Sequence, residues 1–476
     1  MFDSNKSLGA RLSYRYAIGD HLSSSERSKG SVTAIEFPLR KKFLGLLFAF
    51  FLCVISQAIQ PVQSYASLPD ELQVFAGRQV DVRLAVPAAS SAVVDRPDIV
   101  GLDDQAAMHV TRQQPLHLHP QQTGHAKLTL KLWGRIPVKT VHVNVIPDLR
   151  VVPGGQTIGV KVKSAGILVV GHHLVRSGQD ERVSPGETAG IKLGDLITHM
   201  DGKRLDGVAG VSEAVEFAGK NKKGIDVVLK RGKETVKTRL TPAYDAEDQA
   251  WRLGLYIRDS AAGVGTLTFY APDQGVYGAL GHVITDMNTQ TSIVVGSGQI
   301  VQSNVTSISK SETGDPGEKR AHFLKESKIL GNIERNTAFG IFGKMSGNPE
   351  HSLYSKGIPV AFSHEVKEGP AEILTVVDGQ QVERFSIDIV HVADQSEPAT
   401  KGLVLRITDP KLLDKTGGIV QGMSGSPIVQ NGKLIGAVTH VFVNDPKSGY
   451  GCFIEWMLQD AGVMMKKENA KNLKAG

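Results

Sequence analysis

Ser424 stands in Gly422-Met423-Ser424-Gly425-Ser426-Pro427, where one apolar stretch enters a tight glycine turn and another leaves it. A serine between glycines suits a nucleophile on a bent loop, because glycine accepts backbone angles that other residues resist. Two neighbouring amides of such a loop can point at one spot and form an oxyanion hole. The chemistry implied is acyl transfer, and peptide hydrolysis above all. An ordinary structural turn is the competing reading, since glycine and serine are common turn formers.

A serine is a poor nucleophile until a base takes its proton and a third group orients the base. The C-terminal half offers His282, His322, His351, His364, His391 and His440 as bases. His282 sits in the apolar, glycine-bounded Tyr277-Gly278-Ala279-Leu280-Gly281-His282-Val283-Ile284, which suits a partly buried imidazole. It is favoured over His440, which follows the serine by sixteen residues on the serine's own hairpin. His322 and His351 lie among charges. For the orienting acid, Asp286, Asp378, Asp388, Asp394, Asp409 and Asp414 are all open. Asp409 ends an apolar run just before Pro410, a strand-end position that suits the task.

These groups need rigid elements to hold them. Beyond the serine, Ile428-Val429 and Leu434 to Val438 read as strands joined by the hairpin signal Asn431-Gly432. From 251 to 465 many short apolar runs alternate with glycine turns, the pattern of a barrel or a pair of barrels. Residues 68–148 alternate apolar and polar, as in Ala126 to Leu132, and read as a small β domain. Its His117, His119 and His125 lack a partner at metal spacing and read as surface residues.

Residues 150–242 carry Ala189-Gly190-Ile191-Lys192-Leu193-Gly194-Asp195-Leu196-Ile197 and the turn Asp201-Gly202, followed by a helical stretch from Val211 to Gly219. This segment resembles a PDZ domain. The resemblance implies a binding module that adds an extended peptide to a sheet edge, with Thr157, Ile158, Gly159 and Val160 as the loop that captures the peptide end.

Residues 43–55 are thirteen apolar residues without a charge, preceded by Arg40, Lys41 and Lys42 and followed by the small-residue exit Ser64-Tyr65-Ala66. This is the anatomy of a secretory signal. Thirteen residues rise about 20 Å as a helix, short of the roughly 30 Å hydrocarbon core. Extension to Ile59 could just span. Segment 43–66 is therefore expected to be a signal peptide or membrane anchor, with 43–59 in the membrane and the bulk outside the cytoplasm. Residues 1–42 read as a polar, disordered cytoplasmic tail, and 466–476 as a polar tail.

A net charge of +6 is small for 476 residues, and the basic residues are scattered, so no nucleic-acid partner is expected. The two cysteines, Cys53 and Cys452, are not expected to pair. No phosphate loop, His-Glu-x-x-His or paired-cysteine site occurs, so no cofactor or metal is expected. Ser307 and Lys310 match a Ser-x-x-Lys pattern without its companion motifs.

Four stretches together resemble the SpoIVB-type (stage IV sporulation protein B) serine peptidases. They are Leu253 to Gly265, Tyr277 to Ile284, Gly417 to Pro427, and Val441 to Pro446. The resemblance covers roughly residues 150–465. It implies a mainly β, chymotrypsin-like double β-barrel, with the triad on His282, Asp409 and Ser424 in that order. It also implies an oxyanion hole from the Gly422 and Ser424 amides, with His440 a structural residue. Such peptidases act in the space between forespore and mother-cell membranes. They cleave themselves, then cut a membrane-bound regulator of an intramembrane metalloprotease, which leads to sigma-factor processing during endospore formation. The alternative is a non-catalytic PDZ-containing membrane scaffold.

Overall fold

The computed structural model describes residues 69–82, 90–103, 116–178, 181–322, 328–395 and 397–464. The expected tail (1–42), signal or anchor (43–66) and C-terminal tail (466–476) lie outside the described residues. Among the described residues no helix is long and apolar enough to cross a membrane. The architecture is mainly β, with a closed six-stranded barrel and a half-barrel, consistent with a chymotrypsin-like β fold.

The N-terminal domain is built from strands whose burial alternates with period two, as in Gly124–Leu132, where Ala126, Leu128 and Leu130 point inward. Gly124–Leu132 and Ile136–Ile146 form its central hairpin, and Glu71–Phe75 pairs parallel to the second arm, from Glu71 beside His142 to Phe75 beside Ile146. At its far end Phe75 stacks on Phe362 at 4.4 Å, and Arg78 donates to the Val360 carbonyl, so the domain docks onto the closed barrel there.

Two long strands tie the next parts together. Thr157–His172 and Leu255–Ala271 pair antiparallel from His172 opposite Leu255 to Thr157 opposite Thr266. Their outer halves join a sheet with Leu196–Met200, Ile225–Arg231 and Glu234–Leu240, beside the helix Val208–Lys220. This is the part expected to be PDZ-like. Their inner halves join Val276–Ala279, Val295–Gln302 and Gly340–Lys344 in the half-barrel, whose core includes Ile158, Val160, Leu267 and Tyr277. Residues 150–162 thus belong to the half-barrel and not, as expected, to the PDZ-like domain. Arg150–Pro153 likewise pairs with Leu255–Ala271.

The closed barrel runs Gly369–Val376, Val382–Val392, Leu403–Ile407, Asp445–Phe453, Lys433–Phe442 and Pro427–Gln430. Asn431 and Gly432 have φ of 51° and 73°, the two left-handed positions that a tight hairpin between Pro427–Gln430 and Lys433–Phe442 requires. The helix Ile454–Ala461 follows the last barrel strand and buries Trp456, whose indole N–H donates to Gln395 Oε1 at 3.0 Å.

Candidate active site

Ser424 lies where the half-barrel meets the closed barrel. Its loop is clamped from both sides. From the half-barrel, the Thr266 amide donates to the Ser424 carbonyl at 3.0 Å, and the Thr266 and Thr268 hydroxyls donate to the Gly422 and Gly425 carbonyls, each at 2.8 Å. From the closed barrel, the Val438 carbonyl accepts the Gly425 amide at 2.8 Å. Gly425 has φ of 92°, and a Cβ there would overlap the Thr266 carbonyl and the Leu280 amide. Only glycine permits this approach of three backbones. Met423 is fully buried beneath the turn, which leaves Ser424 half-buried at its crest.

His282 is delivered to the same place by a second tight turn. Leu280 and Gly281 both have left-handed φ, 73° and 71°. The Leu280 amide donates to Thr266, the residue that also holds the serine loop. A Cβ on Gly281 would press on Thr439 and the Val438 carbonyl. His282 thus emerges two residues beyond the contact with Gly425. Its Nδ1 meets the Val283 carbonyl at 2.9 Å, which assigns the proton to Nδ1 and leaves Nε2 as the acceptor. Burial lowers its pKa, so the ring is neutral at pH 7.

His440 is the second imidazole here. Its ring centroid lies 5.4 Å from that of His282. Burial and the neighbouring His282 lower its pKa as well. The Ser424 hydroxyl donates to neither ring. It donates to the Thr439 carbonyl at 2.9 Å. The remaining candidate bases are held elsewhere. His351 bonds Gln380, His364 stacks on Phe362, His391 pairs with Glu368, and His322 is exposed at a strand end.

Asp409 is a correction. It was expected behind His282. Instead it is the N-cap of the helix Pro410–Thr416, accepting from the Lys411 and Leu412 amides at 2.9 and 3.1 Å and from the Ser386 amide at 3.2 Å. The reason is local. An aspartate before a proline at the first helical turn satisfies amides that the helix leaves without partners. Among the described residues no carboxylate pairs with His282, and the Val283 carbonyl occupies Nδ1. Asp286, four residues on, is buried and spends its carboxylate on Arg258 and on the Asn288 and Thr289 amides.

Gly422 has φ of 92°. Among the described residues neither its amide nor that of Ser424 donates to a carbonyl, which leaves both for a developing oxyanion. Behind Gly422 stands Lys319, which the sequence reading missed. It is 1% exposed, its amide donates to the Gln421 carbonyl at 2.8 Å, and a Cβ on Gly422 would touch its Cβ at 3.0 Å. Its Nζ reaches Thr375 Oγ1 at 3.0 Å and Thr157 Oγ1 at 3.5 Å, and among the described residues no acid pairs with it. Burial pushes its pKa down to about 7. In Glu318-Lys319-Arg320 nothing distinguishes the middle residue from a solvated face.

Thr157, Ile158, Gly159 and Val160 are the second correction. They are not a free loop. Ile158 pairs with Gly265 on one edge and with Gln302 on the other. Both edges are taken, so no peptide end can bind there. The open edge lies elsewhere. Leu255 to Arg258 pair on one side with residues 168–172, Asp259 sits in a register shift, and among the described residues no strand takes the other side. The helix Val208–Lys220 lies alongside, with the Val208 amide on the Asp259 carboxylate and Gly219 against Trp251. Among the described residues no group of three or more His, Cys, Asp or Glu could hold a metal. His117 and His119 pair with Asp81 and Asp103, each at 2.7 Å.

Residues 249–458 match the family described as SpoIVB peptidase S55. Among solved structures, the PDZ domain of an SdrC-like protein from Listeria monocytogenes aligns at 15% identity over 20% of this chain and 87% of its own, with a TM-score of 0.16. A serine-to-alanine mutant of Rv3671c from M. tuberculosis, in an inactive form, aligns at 15% identity over 43% of this chain and 83% of its own, with a TM-score of 0.23. No curated protein matches.

Proposed function

We propose that residues 249–458, a SpoIVB-type peptidase domain, hydrolyse peptide bonds with Ser424 as nucleophile and His282 as base. The observation that carries this reading is the wedge of Gly425 against Leu280 and Thr266, which sets the serine and the imidazole on adjoining turns. In the reaction the Ser424 hydroxyl swings from the Thr439 carbonyl to Nε2 of His282. Its Oγ attacks the scissile carbonyl as the proton passes to the ring. The Gly422 and Ser424 amides receive the oxyanion. The imidazolium then protonates the leaving amine, and water repeats the sequence to release the acyl group. The Val283 carbonyl holds the ring through Nδ1–H, the place where a carboxylate was expected. The Asp409 carboxylate enters this reading as a helix cap.

The substrate we infer is a protein segment delivered in extended form. The open edge at 255–259, flanked by the helix Val208–Lys220, suits addition of a peptide strand. It replaces the loop at 157–160 as the peptide-binding element. By resemblance, the target is a membrane-bound regulator cut outside the cytoplasm during endospore formation, after self-cleavage. A fluorophosphonate probe tests the core of the proposal. Wild-type protein should be labelled, and Ser424→Ala and His282→Ala should not. An unlabelled wild type of normal fold favours the scaffold alternative.

A further inference from the structure

The tip of the N-terminal hairpin carries a feature that the peptidase reading does not use. Trp133, Ile136 and Val138 are exposed by 69%, 51% and 36%, although all three are large and apolar. Trp133 has φ of 52°, in the left-handed region that a bulky side chain rarely adopts. With Gly134 it forms the turn, and Leu132 opposes Ile136 across it. Lys131, Arg135 and Lys139 are their neighbours in the hairpin, and Lys139 pairs with Asp70. An exposed aromatic ring with apolar and basic neighbours is the composition of a surface that sits between headgroups and acyl chains.

The topology says which surface this tip meets. Glu71–Phe75 runs parallel to Ile136–Ile146 and starts opposite His142, so the chain arrives from the side of the hairpin tip and joins the sheet partway along that strand. The docking contacts of Phe75 and Arg78 with the closed barrel lie at the opposite end. The apolar stretch 43–59 precedes Asp70 by only the ten residues 60–69, which reach at most about 35 Å. The chain therefore arrives from the side that carries the exposed tryptophan and its basic neighbours, away from the docking contacts.

We propose that the hairpin tip Lys131–Lys139 is a second membrane contact, with Trp133 and Ile136 seated at the interface of an anionic bilayer. The single apolar stretch would leave the domain free to swivel. The tip fixes its orientation and holds the barrels away from the bilayer.

The test uses the full chain reconstituted in protein-free vesicles of phosphatidylcholine with or without phosphatidylglycerol. Bromine-labelled lipids quench tryptophan at the interface. The chain has three tryptophans; Trp456 is buried and Trp251 packs on Gly219. The expected result is a quenched component with phosphatidylglycerol that vanishes in Trp133→Ala. A basic side chain near an anionic surface is worth about fivefold in binding. Arg135→Gln should weaken tip engagement by that factor, and high salt should weaken it too. Equal quenching in wild type and Trp133→Ala overturns the proposal. So does quenching that ignores both phosphatidylglycerol and Arg135. Burial of Trp133 that scales with protein concentration in detergent assigns the tip to a second copy of the chain, and also overturns it.

Discussion

The imidazoles of His282 and His440 face each other with centroids 5.4 Å apart, beside a serine whose hydroxyl is turned toward the Thr439 carbonyl. Both rings have lowered pKa values through burial, and the His282 charge adds to the effect on His440. The unfolded chain titrates near the ordinary value of about 6.5. Below it the unfolded state binds protons that the folded state refuses, so stability should fall as pH drops through 6.5 toward the folded values. The acid limb of the labelling rate at Ser424 should lie below 6.5 for the same reason. His440→Gln should leave that limb in place, because burial lowers His282 whereas the charge coupling falls on His440. A limb that moves upward in His440→Gln shows that the His440 charge also weighs on His282.

Asp409 separates a capping role from a catalytic one through two substitutions. Asparagine caps helices as well as aspartate, whereas alanine loses the cap at about 1 kcal/mol. Asp409→Ala should lower stability by that amount in denaturant titration. Asp409→Asn should leave both stability and turnover unchanged. A steep loss of turnover in Asp409→Asn at unchanged stability would return the carboxylate to the catalytic set.

Lys319 costs the fold stability. Its pKa falls from 10.5 to about 7, and at about 1.4 kcal/mol per unit the penalty near neutral pH is of order 4 kcal/mol. The unfolded state binds the extra proton between these values, so stability should rise with pH from about 7 to about 10. Lys319→Met should raise the unfolding midpoint at pH 7 and flatten this slope. Equal midpoints for the two proteins across that range would show that the amine is not confined as described.

Gly425→Ala places a Cβ against the Thr266 carbonyl and Leu280 amide at a φ of 92°. Strain of this kind costs at least about 1–3 kcal/mol. The variant should unfold at lower denaturant and lose fluorophosphonate labelling. Gly432→Ala shares a positive φ of 73° but has open space around it. It should lose stability through backbone strain while keeping its labelling. Labelling retained in Gly425→Ala would uncouple this turn from the site.

Local pattern was enough for the parts of this protein that depend on near neighbours in the chain. Period two marked the strands, Asn431-Gly432 marked the hairpin, and the glycines around Ser424 marked a bent loop. The Asp409-Pro410 pair carried its own local meaning as a helix start, but the family resemblance drew it toward the imidazole. What tertiary structure alone decided was which distant segments meet. Thr157 to Val160 were expected as a peptide-capturing loop from the PDZ resemblance, yet two strands, each at least a hundred residues downstream, claim both edges. Lys319 has the surroundings of a surface residue, yet the two halves of the fold close over it. Turns, helix caps and the alternation of side chains along a strand are set by neighbours a few positions away, whereas ladder partners and burial are set by packing between segments that the chain order does not rank.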